Sequence, residues 1–159
     1  MKYRGFVFWV TFLLYGFFDF VCFGNETYTK KLIAAVLVGE AGGEGTKGML
    51  AVGEVIHQRS VEWRLSPFKV VMQANGRFHA FSCLNDVGPE KLIKKHQNKK
   101  AYQAALHIAE LVCDTPEKLP KITRQATHFA VKGFKPWWAG NHAPVVTIGN
   151  HSFYRLPNH

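Results

Sequence analysis

The chain has 159 residues, of which 47% are hydrophobic, and carries a formal net charge of +9 with a sequence pI of about 9.6. This length suits one compact domain with its own core, and the apolar content excludes a disordered chain. The excess of lysine and arginine indicates an anionic partner, and nucleic acid, anionic lipid and anionic cell wall all fit that description.

The N-terminal segment, residues 1–24, has the pattern of an export signal. Lys2 and Arg4 precede an apolar run from Gly5 to Gly24, and a basic start before an apolar stretch is typical of a secretory signal peptide. Because the run approaches the ~20 apolar residues that span a bilayer, an uncleaved membrane anchor is the alternative. Both interpretations predict an exported domain over residues 25–159, periplasmic or extracellular, that meets the membrane only through this segment. Export argues against a nucleic-acid partner.

Helices are predicted for the first two thirds of this domain. Apolar spacing and capping residues predict four of them: Glu26–Glu40, Gly45 to Arg59 with Thr46 as N-cap, a short helix opening at Ser66–Pro67, and Lys91–Cys113. Residues 74–90 contain Asn, Gly and Pro and are predicted to form a loop. Four glycines between residues 39 and 45 predict a tight bend after the first helix.

The C-terminal part is rich in β-branched and aromatic residues. Thr127–Val131 and Val145–Arg155 are predicted as two strands joined by a long, aromatic-rich connection. The predicted fold class is therefore α+β, with helices first and a small antiparallel sheet last. Beyond the leader the cysteines are Cys83 and Cys113, and sequence alone leaves open whether they pair.

A carboxylate at the glycine bend is the main candidate for chemistry. Glu40 ends an apolar helix, where the partial negative charge of the helix terminus and apolar neighbours disfavour an anion. An acid that donates a proton to a glycosidic bond needs such an environment. Composition and spacing alone equally fit two surface acids, Glu40 and Glu44, beside a turn. Glu54, within the second helix, is predicted to face solvent or to pair with a basic neighbour.

Five segments, in order, resemble the spore-cortex-lytic family of cell-wall hydrolases. They are Ala35–Glu44 with the helix that follows, Phe81–Asp86, Ala126–Phe129, Pro136–Ala139 and Ile148–Arg155. The resemblance implies a lysozyme-like α+β fold and peptidoglycan glycan strands as substrate, cleaved at the bond after N-acetylmuramic acid. Ala80 and Ala130–Lys132 depart from the family's pattern and predict altered sugar contacts. No cofactor and no metal are predicted.

The resemblance also assigns roles to residues. The family's catalytic acid is the first Glu of its opening motif, which corresponds to Glu40. Glu40 would protonate the glycosidic oxygen and then take the proton of the muramic acid 6-hydroxyl, giving a 1,6-anhydro sugar by lytic transglycosylation. Hydrolysis with Glu44 or Asp86 as second acid is the alternative. The predicted substrate-binding residues are Glu44, Phe81, Ser82, Thr127, His128, Trp137, Asn150 and Tyr154. The basic surface predicts anionic cell-wall polymers as further partners.

Other functions fit the sequence less well. A zinc-dependent amidase acting on the peptide stem is suggested by the eight histidines, but HExxH is absent and His128, His142 and His151 lack a recognised ligand spacing. A wall-binding protein without turnover is a second alternative, against which the intact motif around Glu40 argues. A nucleic-acid binder has only the charge in its favour.

Overall fold

The computed structural model describes residues 26–157 and has an α+β fold, as predicted. Its helices are α1 (26–41), α2 (Gly45–Trp63), α3 (Pro67–Val71), α4 (Cys83–Val87), α5 (Pro89–His96) and α6 (Lys100–Asp114). Its strands are β1 (Ala74–Asn75), β2 (Phe78–His79), β3 (His128–Val131), β4 (Val146–Ile148) and β5 (His151–Tyr154). The predicted leader, residues 1–24, lies outside the described residues. Within 26–157 no helix combines the length and apolar character needed to cross a bilayer.

The centre of the helical core is α1, whose residues 32–38 are all buried. Helix α2 packs on it and also against α6. The close approach of α2 and α6 depends on Gly53, where an added β-carbon would stand 2.9 Å from Ile108 Cγ2. Because α1 is surrounded for most of its length, its C-terminal end is held firmly where it reaches the surface at Glu40.

A three-stranded antiparallel sheet, in the order β3-β5-β4, covers the opposite side of α2. Ala51 and Val55 of α2 are fully buried against Ile148 and Phe153 of the sheet. Helix α2 therefore separates two apolar clusters, one shared with the helices and one shared with the sheet. Arg59 of α2 and residues 129–131 of β3 lie together near Glu40, at the C-terminal end of α1.

Glu54 is a structural residue, and the prediction that it faces solvent or pairs with a base is wrong. Its side chain is buried, with 6% of the residue exposed. Its carboxylate accepts hydrogen bonds from Ile122 N at 2.8 Å, Thr123 N at 2.8 Å and Thr123 Oγ1 at 2.6 Å. The carboxylate thus ties the turn before β3 to the middle of α2, because the amides of that turn have no strand partner.

Helix boundaries differ from the prediction in two places. Helix α2 runs one turn further, to Trp63, and its N-cap is Glu44 without a side-chain hydrogen bond, so Thr46 is not the cap. The predicted helix from Lys91 to Cys113 is two helices, α5 and α6, separated by residues 97–99. The short helix predicted to open at Ser66–Pro67 is confirmed as α3, and the Ser66 hydroxyl caps it by accepting from Lys69 N at 3.3 Å.

Two predicted irregular or extended segments also have more structure than expected. Residues 74–90 contain the β1–β2 hairpin and α4 rather than a plain loop. The predicted strand Val145–Arg155 is a hairpin, β4 and β5, with Gly149 in the turn at φ 58°. Cys83 and Cys113 are free thiols.

Candidate functional site

A cleft of about 200 Å³ lies where the end of α1 meets the segment before α4, together with α2, β3 and β5. Each of these five segments contributes to its wall. The lining residues are Glu40, Arg59, Ala80, Ser82, Phe129, Ala130, Val131 and His151. The cleft thus brings together Glu40 and Ser82, which were predicted from the sequence, and Arg59 and His151, to which the sequence analysis assigned no role in a site.

The carboxylate of Glu40 is oriented by the start of α4. Its Oε1 accepts hydrogen bonds from Ser82 Oγ at 3.2 Å and from the Cys83 backbone N–H at 3.0 Å. Within the described part of the chain, Oε2 accepts no hydrogen bond from a hydroxyl group or a backbone amide. One oxygen is therefore anchored, and the other is left for a bound molecule.

Arg59 places a buried positive charge beside this acid. Its Nε donates to the Thr127 carbonyl oxygen at 2.6 Å, and its guanidinium carbon lies 5.1 Å from the Trp63 ring centroid and 5.3 Å from that of Phe81. Burial lowers the pKa of Arg59 to about 10, and the negative charge of Glu40 partly opposes this. The guanidinium is thus held by packing and by one strong hydrogen bond, with Glu40 as its charged neighbour.

These contacts modify the expectation drawn from the helix terminus. Glu40 does lie in the last turn of α1, which disfavours an anion. Two hydrogen-bond donors and the Arg59 cation act in the opposite direction and stabilise a carboxylate. The site therefore has groups that stabilise the charge left on an acid after it has given away its proton.

Glu44 lies behind the cleft rather than in it. Its Oε1 is 2.6 Å from His151 Nδ1, and its Oε2 is buried without a hydrogen-bond partner among the described residues. Gly48 and Gly149 make room for this side chain. A β-carbon at Gly48 would stand 2.6 Å from Glu44 Cβ, and one at Gly149 would collide with Oε2.

A second hollow, the aromatic groove, has a volume of about 310 Å³. It is lined by Trp63, Thr127, His128, Trp137, Trp138, Leu156 and Pro157. The His128 ring lies 5.1 Å from the Trp138 ring and 6.2 Å from the Trp63 ring, between centroids. Trp137 is 92% exposed, and nothing in the packing of the described chain accounts for so large an exposed ring.

The remaining predicted binding residues lie outside the cleft that contains Glu40. Phe81 is fully buried and packs against Phe129. Tyr154 is buried, meets the Trp138 ring edge-on at 5.3 Å and lines a separate hollow with Ser152. Asn150 is exposed in the β4–β5 turn, where its carbonyl accepts from Lys132 N. Thr127 is buried in the groove wall, with Oγ1 2.9 Å from His128 Nδ1.

The sequence analysis gave Arg59 no role and did not predict that His151 pairs with Glu44. The available signal for Arg59 was its spacing of three and four residues from Ile56 and Val55, which places it with the apolar residues of α2, where a buried cation needs a partner. No local signal pairs Glu44 with His151, since the two residues are far apart in the chain. Among residues 26–157, no group of three or more His, Cys, Asp or Glu side chains is arranged to hold a metal ion.

Comparison with known proteins gives one family. A sequence profile of the Cell Wall Hydrolase family matches residues 43–154, a range that includes Glu44, Arg59, Ser82 and His151 and begins just after Glu40. Neither the curated proteins nor the solved structures contain a match. The matched range covers well over half of the chain. The chain therefore belongs to the cell wall hydrolase family, whose substrate is peptidoglycan and whose members are extracellular or wall-associated.

Proposed function

We propose that this protein cleaves the glycan strands of peptidoglycan by lytic transglycosylation at the bond after N-acetylmuramic acid, with Glu40 as general acid and base. The observation that supports this most is the placement of Glu40. Its carboxylate lies in a cleft at the end of a buried helix, with Oε1 anchored by two hydrogen bonds. A fixed carboxylate is what proton transfer to a glycosidic oxygen needs.

The first step is protonation of the leaving oxygen. Glu40 delivers its proton through Oε2, and the bond between the muramyl anomeric carbon and the glycosidic oxygen breaks. The resulting carboxylate is stabilised by Ser82, by the Cys83 amide and by the positive charge of Arg59. These groups thus favour the transition state, in which the charge on Glu40 develops.

The second step closes the anhydro ring. The muramic acid 6-hydroxyl attacks its own anomeric carbon, and the Glu40 carboxylate takes the hydroxyl proton. The attack is intramolecular, so it gains from proximity without a separately bound nucleophile. Glu40 ends the cycle protonated, and the product carries a 1,6-anhydro end.

The aromatic groove extends the glycan site in this proposal. Strand β3 lines both hollows, with His128 in the groove and residues 129–131 in the cleft. Arg59 in the cleft stacks on Trp63 of the groove. A neighbouring sugar of the same strand would lie in the groove and stack on Trp137, since a flat ring face suits the apolar side of a sugar.

Charge and export complete the proposal. Lys94, Lys95, Lys99 and Lys100 are exposed on and between α5 and α6, and the whole chain carries +9. Such a surface attracts anionic wall polymers over roughly a Debye length, about 8 Å at physiological salt. Residues 1–24 would deliver the domain to the wall as a signal peptide or hold it near the wall as an anchor.

The test is product analysis with the full chain. Wild type, Glu40→Gln and the exposed control Glu117→Gln are incubated with purified peptidoglycan, and the released fragments are identified by mass spectrometry. We expect anhydro-muramyl fragments from wild type and Glu117→Gln, and release lowered at least ~100-fold in Glu40→Gln. Fragments released by Glu40→Gln at the wild-type rate would overturn the assignment of Glu40.

A further inference from the structure

We infer that Glu44 and His151 form a carboxylate–imidazole pair that supplies the cleft with a second base, through which the enzyme also hydrolyses the glycosidic bond. In this pair His151 is the residue that meets the reacting water, and Glu44 is a positioning residue behind it. The inference rests on the proposed function, because it uses the same cleft and the same general acid, Glu40.

The placement of the two side chains is the first step. His151 lines the cleft with Glu40, and its buried Nδ1 lies 2.6 Å from Glu44 Oε1, an ion-pair contact without hydrogen-bond geometry. Only 11% of the His151 side chain and 16% of the Glu44 side chain are exposed. Glu44 is not among the residues that line the cleft, so any basicity that it contributes to the cleft passes through the imidazole.

The protein makes space specifically for this carboxylate. An added β-carbon would meet the Glu44 side chain at Gly48 and also at Gly149, which are in α2 and in the β4–β5 turn. The His151 ring is packed edge-on against Phe129, 5.3 Å between centroids, and lies beside Phe153 at 6.4 Å. Both partners are thus fixed, and the ring cannot turn away to another acceptor.

The position of the proton in the pair decides which ring nitrogen can act as a base. A buried carboxylate with one unpartnered oxygen is costly unless a proton lies between it and its neighbour. If His151 Nδ1, the ring nitrogen in contact with Glu44, carries the proton, Nε2 is the basic nitrogen of a neutral imidazole. The other ionisable groups that line the cleft are Glu40 and Arg59.

The chemistry balances with Glu40 as acid. Glu40 gives its proton to the glycosidic oxygen, and the bond from that oxygen to the anomeric carbon breaks. A water oxygen forms the new bond to the anomeric carbon, and the proton of this water goes to His151 Nε2. The imidazolium is held by the Glu44 carboxylate until its proton returns to Glu40 through solvent. The product has an ordinary reducing end, which differs from the anhydro end by one water molecule.

The experiment measures the ratio of the two product ends. The full chain, as wild type, His151→Gln, Glu44→Gln and Glu40→Gln, is incubated with peptidoglycan, and reducing and anhydro muramyl ends are counted by mass spectrometry. His107→Gln is the matched control, because His107 pairs with Glu110 at 3.5 Å on the exposed face of α6. Circular dichroism and thermal unfolding establish that each variant is folded.

We expect wild type and His107→Gln to release both kinds of end in the same ratio. His151→Gln should lose at least ~10-fold of the reducing ends while retaining anhydro ends, which itself shows a folded cleft, and Glu44→Gln should lose fewer. A wild type without reducing ends, or folded His151→Gln and Glu44→Gln variants with an unchanged ratio of the two ends, would overturn this inference. Loss of both ends in Glu40→Gln tests the proposed function separately.

Discussion

Gly39 and Cys83 lie so close that a β-carbon added at Gly39 would stand 2.8 Å from Cys83 Cβ and 3.0 Å from its Sγ. This approach of α1 to the start of α4 is what allows the Cys83 amide to reach Glu40, the next residue after Gly39. The glycine therefore acts on the candidate catalytic acid through space rather than through its own backbone freedom.

The variant Gly39→Ala should lower activity more than it lowers stability. Crowding costs roughly 1–3 kcal/mol and the better helix propensity of alanine returns about 1 kcal/mol, so a net loss below about 2 kcal/mol is expected. Moving the Ser82–Cys83 backbone away from Glu40 should lower kcat by about tenfold or more, since small displacements of a catalytic group are costly.

Thermal unfolding and peptidoglycan release, measured on the same samples, check this prediction. Gly43→Ala is the control, because an added β-carbon there meets nothing within 4 Å. Gly39→Ala at full activity, or with its activity loss explained wholly by unfolding, would contradict the role given to this contact.

Substitution by glutamine should lower stability but not activity at Glu54, and activity but not stability at Glu40. Glu54→Gln replaces an acceptor oxygen by an amide that faces the donors of residues 122 and 123. We expect a loss of about 1.5–3 kcal/mol in the free energy of unfolding, with activity retained below the melting transition. Glu40→Gln should leave the stability nearly unchanged and abolish release. Urea unfolding of both variants, beside Glu117→Gln, distinguishes the two roles.

Local sequence features predicted much of the fold and one part of the site. Apolar residues at helical spacing predicted α1 and α2, although both helices are buried on more than one side. The glycines after residue 38 predicted that Glu40 would lie at a helix end near a bend, because helix termination is decided within a few residues. The β4–β5 hairpin was missed although Gly149–Asn150 is a two-residue turn pattern between β-branched and aromatic residues.

Local sequence features could not predict contacts between segments that are far apart in the chain. The burial of Glu54 depends on unpaired amides at residues 122 and 123, which become its partners only after folding. The charge beside Glu40 comes from Arg59, whose position is set by stacking on Trp63 and Phe81. The break between α5 and α6 lies at residues 97–99, which include neither glycine nor proline.

Arg59→Met should separate the charge of this residue from its packing. Methionine can fill the space between Trp63 and Phe81 but leaves the Thr127 carbonyl without its donor, at a cost of about 1–3 kcal/mol in stability. We expect kcat to fall further than that loss explains, because the developing carboxylate of Glu40 then lacks its neighbouring cation. Arg59→Lys should recover part of kcat. Equal activity of the two variants would exclude an electrostatic role for Arg59.

Trp137→Ala should affect substrate affinity and leave folding intact, since the ring is 92% exposed. Loss of one stacking contact of about 0.5–1.5 kcal/mol corresponds to a rise in KM of up to about tenfold. The effect should disappear with glycan fragments too short to reach the aromatic groove. Phe134→Ala, which removes another exposed ring at 62% exposure, is the control. A kcat change without a KM change would place Trp137 outside the glycan path.

The thiol of Cys83 reports on the charge of Glu40. Burial is the largest cause that raises the pKa of Cys83 well above its usual range, followed by the negative charge of Glu40 and the hydrogen bond between the thiol and Glu40. Burial is also the largest cause that raises the pKa of Cys113, to about 11. Because the thiolate is the nucleophile, both residues should react slowly with iodoacetamide near neutral pH, and Cys83 more slowly than Cys113.

Glu40→Gln removes one cause of the shift in the pKa of Cys83, so alkylation of Cys83 should become faster while that of Cys113 stays constant. Peptide mapping by mass spectrometry gives both rates in one sample. Unequal acceleration is the signature of a carboxylate acting on one thiol, whereas equal acceleration would mean that the substitution had loosened the whole domain.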